Sequence, residues 1–452
     1  MSSNAFMSDL LASIAERGRA LLGGKPRSGD PAQRVTDLIG QCEALLSGSG
    51  EASGIALARD MLDLYAGLDR DSQLAFFREL AQHYGPDREE ITRSLAAWQN
   101  APSDESAATI HFATEPRRQE LFRRLNRAPG ATSDLVAMRA DLLKLASTNK
   151  DIAAVDRDLS HLLGSWFNRG FLVLRRIDWS SPANVLEKVI RYEAVHQIHD
   201  WNDLRRRIDP EDRRCYAFFH PAMVDEPLIF VEVALTETIP GAIGPLLAED
   251  RSPVPLARAR TAVFYSISNC QRGLGGISFG NFLIKQVVEE LRRDLPKLDT
   301  FVTLSPVPGF MAWLRKGAET GISDEDRPLL NHLDRSDWIE DAQLVAQLRP
   351  ILEPAAATYF LKAKAARNRP VDPVARFHLG NGARLERINW LGDVSPKGLR
   401  EAAGLMVNYL YDLDDIEQNH EAFANTGEIM ASSAVRKLLK TEGRRYLPIS
   451  LG

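Results

Sequence analysis

Four stretches follow one another with short gaps: TAVFYSISN (261–269), QRGLGG (271–276), ISFGNFLIKQVVEELRRDLP (277–296) and LSPVPGF (304–310). The first is an apolar run rich in β-branched and aromatic residues. The second is a glycine-rich turn, the third is amphipathic, and the fourth ends a second apolar run. Strand, loop, helix and strand are therefore predicted in that order. A helical crossover of this kind makes the two strands parallel. Within the helix Ile284, Val287, Val288 and Leu291 form one apolar stripe for the core, while Lys285, Glu289, Arg292 and Arg293 lie on other faces.

The turn Gln271-Arg272-Gly273-Leu274-Gly275-Gly276 lets bare backbone N–H groups point outward beside a helix N-terminus. There the amides and the macrodipole together favour an anionic group such as a pyrophosphate. Gly273, Gly275, Gly276 and Gly280 fall within eight positions. Mid-helix each would cost about 1 kcal/mol, so close approach of bare backbone to something is the better reason for them. Phosphate binding and a tight structural turn both meet that requirement. A dinucleotide fingerprint fits worse, because the spacing is not GxGxxG and no ribose-binding acid follows at the right distance.

TFVTLS (300–305) is the second apolar run, and outward from this core FLVLRRI (171–177), CYAFFH (215–220) and PLIFVEVAL (227–235) read as further strands, close enough for antiparallel pairing. Helices are predicted at 184–197, 339–348, 353–367, 397–410 and 431–440, with breaks at Ser395-Pro396 and Asn425 to Gly427. From Pro31 to Phe167 apolar residues recur at helical spacing, for example Leu57, Met61, Leu62 and Tyr65, or Leu135, Met138, Leu142 and Leu145. GSGEASG (48–54), NAPSDESAA (100–108) and RAPGATSD (127–134) read as the intervening loops. The expected fold class is α+β: an all-helical N-terminal domain over 1–168, then a mixed-sheet domain over 169–452.

The chain has 452 residues, 44% hydrophobic and 26% charged, which suits a globular protein of about two domains. A net charge of −5 gives no general pull toward nucleic acid. The clusters Arg117-Arg118 and Arg123-Arg124 read as solvated helix faces. No apolar run approaches the roughly 20 residues that span a bilayer, and residues 5–23, though amphipathic, carry Asp9 and Glu16, which transit peptides avoid. A cytoplasmic location is expected. The three cysteines, Cys42, Cys215 and Cys270, are far apart and show no CxxC spacing, so neither a disulfide framework nor a zinc site is indicated. Cys270 reads as a small residue ending a strand.

Ser305 stands at the C-terminal end of a predicted strand, fixed by Pro306 and Pro308, where ligands lie in open α/β arrangements. A functional hydroxyl and a turn cap are both consistent with that place. His378 lies in ARFHLGNGA (375–383), an apolar approach followed by residues that tolerate unusual backbone angles. Alone, such a histidine is more often structural than catalytic. His196 and His199, three apart on a predicted helix, lack a third ligand of matching character, and His420 is a weaker acid or base candidate.

Read together, FYSIS (264–268), the glycine turn, FGNFLIKQVVEEL (279–291), LSPVPGF (304–310), FHLGNGA (377–383) and RINWLGD (387–393) resemble the malonyl-CoA decarboxylase family. The resemblance covers the helical part more loosely. It implies a helical domain used for oligomerisation and a catalytic domain built like the GNAT-type N-acetyltransferases. It implies Ser305 and His378 as the catalytic pair. It also implies a malonyl-CoA contact segment of Gly275, Gly276, Ile277, Ser278, Phe279, Gly280 and Asn281, with Gln271, Arg272 and Gly273 just before it, and Tyr411 as a further support. Animal members carry an acidic residue where this chain has Ser278, so no carboxylate role transfers there. The C-terminal Ile-Ser-Leu-Gly, unlike a peroxisomal tail, suggests a bacterial cytoplasmic member.

Decarboxylation of a malonyl thioester leaves an enolate whose charge the thioester carbonyl accepts, so no metal or organic cofactor is expected. The protein must turn the carboxylate out of the thioester plane, stabilise the enolate oxygen and deliver a proton. The expected partners are malonyl-CoA and further copies of the chain, with no nucleic acid and no membrane. An acyl-CoA-dependent N-acyltransferase and a non-catalytic CoA-binding regulator are the alternative readings.

Overall fold

The computed structural model describes residues 30–48, 50–277, 279, 283–317, 320–335 and 337–439. They fall into two compact units. The first comprises the chain up to Val173 together with Phe219–Leu228 and Gln271–Phe279; the second comprises Leu174–Phe218, Ile229–Cys270 and the chain from residue 280 onward.

In the first unit eight α-helices run from Pro31–Leu46 to Ala153–Trp166. Their starts are set by side-chain caps. Asp30, Asp69 and Asp87 accept from backbone N–H groups of the first turn, and Ser103 forms a reciprocal capping box with Ser106. The helix Glu51–Ala66 begins inside the stretch expected as loop, and Gly130 enters the helix Ala131–Ala146 from the left-handed region. The apolar stripes meet in one core, where the rings of Tyr65, Phe76 and Phe77 pack with centroids 5.8–5.9 Å apart.

Of the arginine clusters expected as solvated faces, Arg117 is exposed, whereas Arg118 and Arg124 are drawn inward. Arg118 is buried and ion-paired to Asp158, which also accepts from Gln119 at 2.8 Å. Arg124 donates to the carbonyls of Leu45 and Leu46, satisfying the last turn of Pro31–Leu46. A charge run on a short helix is drawn inward when unpaired helix-end carbonyls and a buried carboxylate need donors.

The second unit is built on a mixed sheet with strands β1 (Val173–Ile177), β2 (Arg213–Phe219), β3 (Pro227–Thr236), β4 (Thr261–Asn269), β5 (Thr300–Thr303), β6 (Ser305–Pro306), β9 (Arg384–Asn389) and β10 (Met406–Leu410); β7 (Lys364–Ala365) and β8 (Arg369–Pro370) form a separate ribbon. The order is β1-β2-β3-β4-β5-β10-β6, with β9 on β10. β4 and β5 are parallel, joined through the helix Leu283–Asp294, while β3–β4, β5–β10, β6–β10 and β9–β10 are antiparallel. Helices first and a mixed sheet after is the fold class expected.

Four expected helices differ. The helix begun at Pro396 stops at Ala402, because Ala403 (φ 49°) and Gly404 (φ 78°) turn left-handed, and residues 406–410 form β10 instead. Residues 339–348 and 353–367 were expected as two helices, yet Ala342–Leu361 is continuous through Pro350 and Pro354. Its buried face of Leu344, Leu348, Leu352, Ala356 and Tyr359 outweighs the lost N–H bonds. The helix at 184–197 ends at Tyr192, where the Glu193 carboxylate accepts from the N–H groups of Val195 and His196, both at 2.8 Å, and turns the chain. His196 and His199 consequently lie off any helix, and no group of three metal-ligating side chains occurs among the described residues. No helix among them is long and apolar enough to cross a membrane.

Candidate active site

β4 and β5 pair from Thr261↔Thr300 to Phe264↔Thr303, and Leu304 N–H still donates to Phe264 O at 3.0 Å. Beyond that point the two strands part. Tyr265 is the extra residue of a bulge, since Glu232 faces Ser266 and Val233 faces Phe264. β6 turns from β4 to pair with β10, Val407↔Ser305 and Met406↔Pro306. Ser305 is thus held at the point of divergence, with two prolines behind it. Gly309 completes the turn because a Cβ there would lie 2.5 Å from the Tyr359 hydroxyl.

His378 comes from the helix Pro373–Gly380, which is fixed at both ends. Asp372, buried, caps the first turn by accepting from Ala375 N–H at 2.7 Å, and accepts from the Tyr359 hydroxyl at 3.1 Å. At the other end Gly382 (φ 84°) passes so close to Ile416 that a Cβ would lie 2.1 Å from its carbonyl oxygen.

These elements bring Ser305, His378 and Tyr411 together. Ser305 Oγ lies 3.2 Å from His378 Nε2, and His378 Nδ1 lies 2.8 Å from Tyr411 Oη. Ser305 Oγ in turn donates to Thr303 Oγ1 at 2.9 Å, and Thr303 Oγ1 accepts from Tyr409 N–H at 3.1 Å. With the serine hydrogen directed to Thr303, the ring nitrogen facing Ser305 is the donor, so neutral His378 carries its hydrogen on Nε2 and accepts from Tyr411 at Nδ1. The Tyr409 ring stacks on the imidazole at 4.6 Å and 23°. All five side chains are buried. Desolvation, with no acid beside the ring, lowers the His378 pKa to about 3. The same burial pushes the Tyr409 and Tyr411 hydroxyls well above their ordinary range.

Thr303 and Tyr409 escaped the sequence reading. Tyr409 lies in β10 and Tyr411 one residue beyond its end, a two-residue spacing hidden by reading 397–410 as helix. His420 bonds the Gly380 carbonyl at 2.8 Å, a packing role.

The expected contact segment belongs to the first unit as far as Phe279. Arg139 donates to the carbonyls of Gly273 at 2.7 Å and Gly275 at 3.0 Å and is ion-paired to Asp156 at 2.8 Å. Gly273 is buried so tightly on the helix Ala131–Ala146 that a Cβ would lie 1.8 Å from the Val136 carbonyl oxygen. Gln271 donates to Pro227 O at 3.1 Å. Contrary to the expected fan of bare amides, the N–H groups of Leu274, Gly275 and Ile277 are donated inside the turn to Gln271, Arg272 and Leu274. Arg272 begins a 3-10 turn, Gly276 has φ 78°, and Phe279 is half-buried. Ser278, Gly280 and Asn281 lie outside the described residues.

The sequence matches the malonyl-CoA decarboxylase C-terminal domain over residues 170–447 and the N-terminal domain of the same family over 84–167. The chain belongs to the malonyl-CoA decarboxylase family. It is 36% identical to the mitochondrial malonyl-CoA decarboxylase of Anser anser anser over 408 residues, covering 82% of this chain and 81% of that one. Against the mouse enzyme the identity is 34% over 418 residues, covering 84% of each. Among solved structures, the malonyl-CoA decarboxylase of Rhodopseudomonas palustris is 56% identical with a TM-score of 0.87, covering 91% of this chain and all of that one. That of Agrobacterium vitis is 55% identical with a TM-score of 0.85, covering 89% and 99%. Family membership makes the chain a decarboxylating enzyme, as the resemblance implied.

Proposed function

We propose that the protein converts malonyl-CoA to acetyl-CoA and CO₂ at the Ser305–His378 pair. The observation that carries this reading is the hydrogen-bonded chain Tyr411–His378–Ser305–Thr303, whose donors run from Tyr411 through His378 and Ser305 to Thr303. In the reaction the bond between the carboxylate carbon and C2 breaks. Its electron pair enters the thioester as an enolate, and C2 gains one proton. Neutral His378 has no spare proton of its own. The substrate carboxylate supplies the negative charge that raises the imidazole pKa, so a proton enters with the substrate. After CO₂ departs, Ser305 passes its hydroxyl proton to C2 and recovers one from His378 Nε2, and Tyr411 holds the ring in the orientation this requires. A positioned acid of this kind contributes about 10²–10⁴-fold.

The segment Gln271 to Asn281 is the proposed contact for the CoA portion. The helical unit is the proposed site of homo-oligomerisation, supported by Leu95, Trp98 and Phe112, which stay exposed on neighbouring helices. Purified protein mixed with malonyl-CoA should release stoichiometric CO₂ and acetyl-CoA. Acyl transfer to amines without CO₂ release would overturn the assignment.

A further inference from the structure

Asn408 and Tyr409 point to opposite faces of β10. Tyr409 stacks on His378, whereas Asn408 turns to a second buried polar group. There Arg387 Nε donates to Asn389 Oδ1 at 2.7 Å and to Asn408 Oδ1 at 3.0 Å, and its Nη2 donates to the carbonyls of Ile239 and Pro240 at 3.1 and 2.8 Å. Asn389 Nδ2 donates to Asn408 Oδ1 at 2.8 Å. Asn408 Nδ2 donates to the Thr303 carbonyl at 2.7 Å, and Thr303 is the residue that receives the Ser305 hydroxyl.

Arg387 also lines a cavity of about 570 Å³, walled by Pro240, Ala242, Pro245, Ile388 and Trp390 and reached by Arg349 and Glu353. Among the described residues no carboxylate lies within ion-pair distance of Arg387, and nothing accepts from its Nη1. The neighbouring acids are already engaged, Glu386 with Arg384 at 2.7 Å and Glu353 with Arg349 at 3.1 Å. Two arginines against one glutamate leave the cavity with one positive charge in excess. A half-buried guanidinium with an unused N–H edge is matched by a planar carboxylate. The proline, isoleucine and tryptophan walls match an apolar body.

We propose that this cavity binds a carboxylate carrying a short apolar chain, and that its occupancy is transmitted through Arg387, Asn408 and Thr303 to Ser305. The binding stands on its own, and the transmission rests on the catalytic reading of Ser305. An anion bound at Nη1 strengthens the pull on the guanidinium. The same guanidinium holds the Asn408 amide, so the position of the Thr303 carbonyl, and of the Thr303 hydroxyl that receives Ser305, follows.

The test is calorimetric titration of the full-length protein with sodium octanoate, with 1-octanol as the uncharged body. Octanoate should bind saturably and 1-octanol should not compete. Arg387→Met should weaken octanoate about tenfold or more, the effect of losing a charge-assisted pair. Because Arg387 also holds the 239–240 loop, Ala242→Trp serves as a second variant that fills the cavity from its rim, and it should abolish the heat with the network intact. In turnover with malonyl-CoA, octanoate should change kcat while leaving KM nearly unaltered. Absence of octanoate binding, equal binding of 1-octanol, or binding that survives Ala242→Trp overturns the site. Octanoate that raises KM alone overturns the transmission, since it then competes in the substrate site. Calorimetry reads binding without turnover, so an inactive protein that binds octanoate leaves the site standing and removes only the catalytic reading.

Discussion

The Ser305 hydroxyl lies 3.2 Å from Nε2 of His378, a residue 73 positions further along the chain. Both side chains are buried, and each is held by a second partner, Thr303 for the serine and Tyr411 for the histidine. The pair is therefore fixed before any substrate arrives, which is what proton delivery to a short-lived enolate demands.

Ser305→Ala and His378→Gln are each expected to lower kcat by about 10²–10⁴-fold. The double variant should be little worse than the worse single one, because residues that act as a unit are not additive. Rates from CO₂ release measure this. A product of the two single losses would show that they act separately.

Thr303→Val keeps the side-chain volume but removes the acceptor of the Ser305 hydroxyl and of Tyr409 N–H. A loss in kcat of about tenfold, with KM nearly unchanged, is expected from one hydrogen bond, and Thr303→Ser should restore most of it. Tyr411→Phe should likewise reduce kcat, since Nδ1 loses its partner. If Thr303→Ser fails to rescue, packing rather than the hydroxyl is responsible.

Acid should destabilise the fold through its buried histidines. Burial holds His378 at about 3 and His196 at about 4, against an ordinary value of 6.5. Below pH 6.5 the unfolded chain takes up protons that the folded one refuses. Each histidine therefore costs about 1.4 kcal/mol per pH unit, until the folded group itself titrates. His378→Gln should flatten the fall in Tm between pH 6.5 and 5. An unchanged slope would contradict the burial.

Glu232 acts with the opposite sign. Fully buried beside Glu193, its carboxyl is raised to about 8 from 4.5, so the stability it contributes is present below pH 4.5 and is lost as pH rises toward 8. Glu232→Gln should gain most in Tm over the parent at pH 8 and least at pH 5. Arg207, which pairs with Glu232 at 3.3 Å, keeps Asp203 and two carbonyls as partners in that variant.

Two glycines should respond in opposite ways. Gly273→Ala pushes a methyl into the Val136 carbonyl and should lower Tm by several degrees, as burial of a backbone clash requires. Gly164 sits inside the helix Ala153–Trp166 with nothing within 4 Å of a Cβ, so Gly164→Ala should stabilise by about 1 kcal/mol. Paired thermal melts decide both.

The chain's local patterns determined much of this molecule. Apolar residues at helical spacing specify the helices up to Trp166, and β-branched and aromatic runs specify β1 to β5, because those periods are written in neighbouring residues. The glycine-rich turn announced a close backbone approach, and Gly273 makes one to a helix of its own unit. Short buried elements did not declare themselves. Leu399, Ala402, Met406, Tyr409 and Leu410 suit a helix as well as a helix followed by a strand, and only pairing with β5, β6 and β9 makes residues 406–410 extended. Ser305 and His378 stood out singly as candidates, and family resemblance joined them. Their 3.2 Å contact, the depressed histidine pKa, and the opposite faces given to Asn408 and Tyr409 depend on groups far apart in sequence. Periodicity carries information over a few residues, whereas desolvation and hydrogen bonding are set by whatever the folded chain brings alongside, and that was decided by the tertiary structure alone.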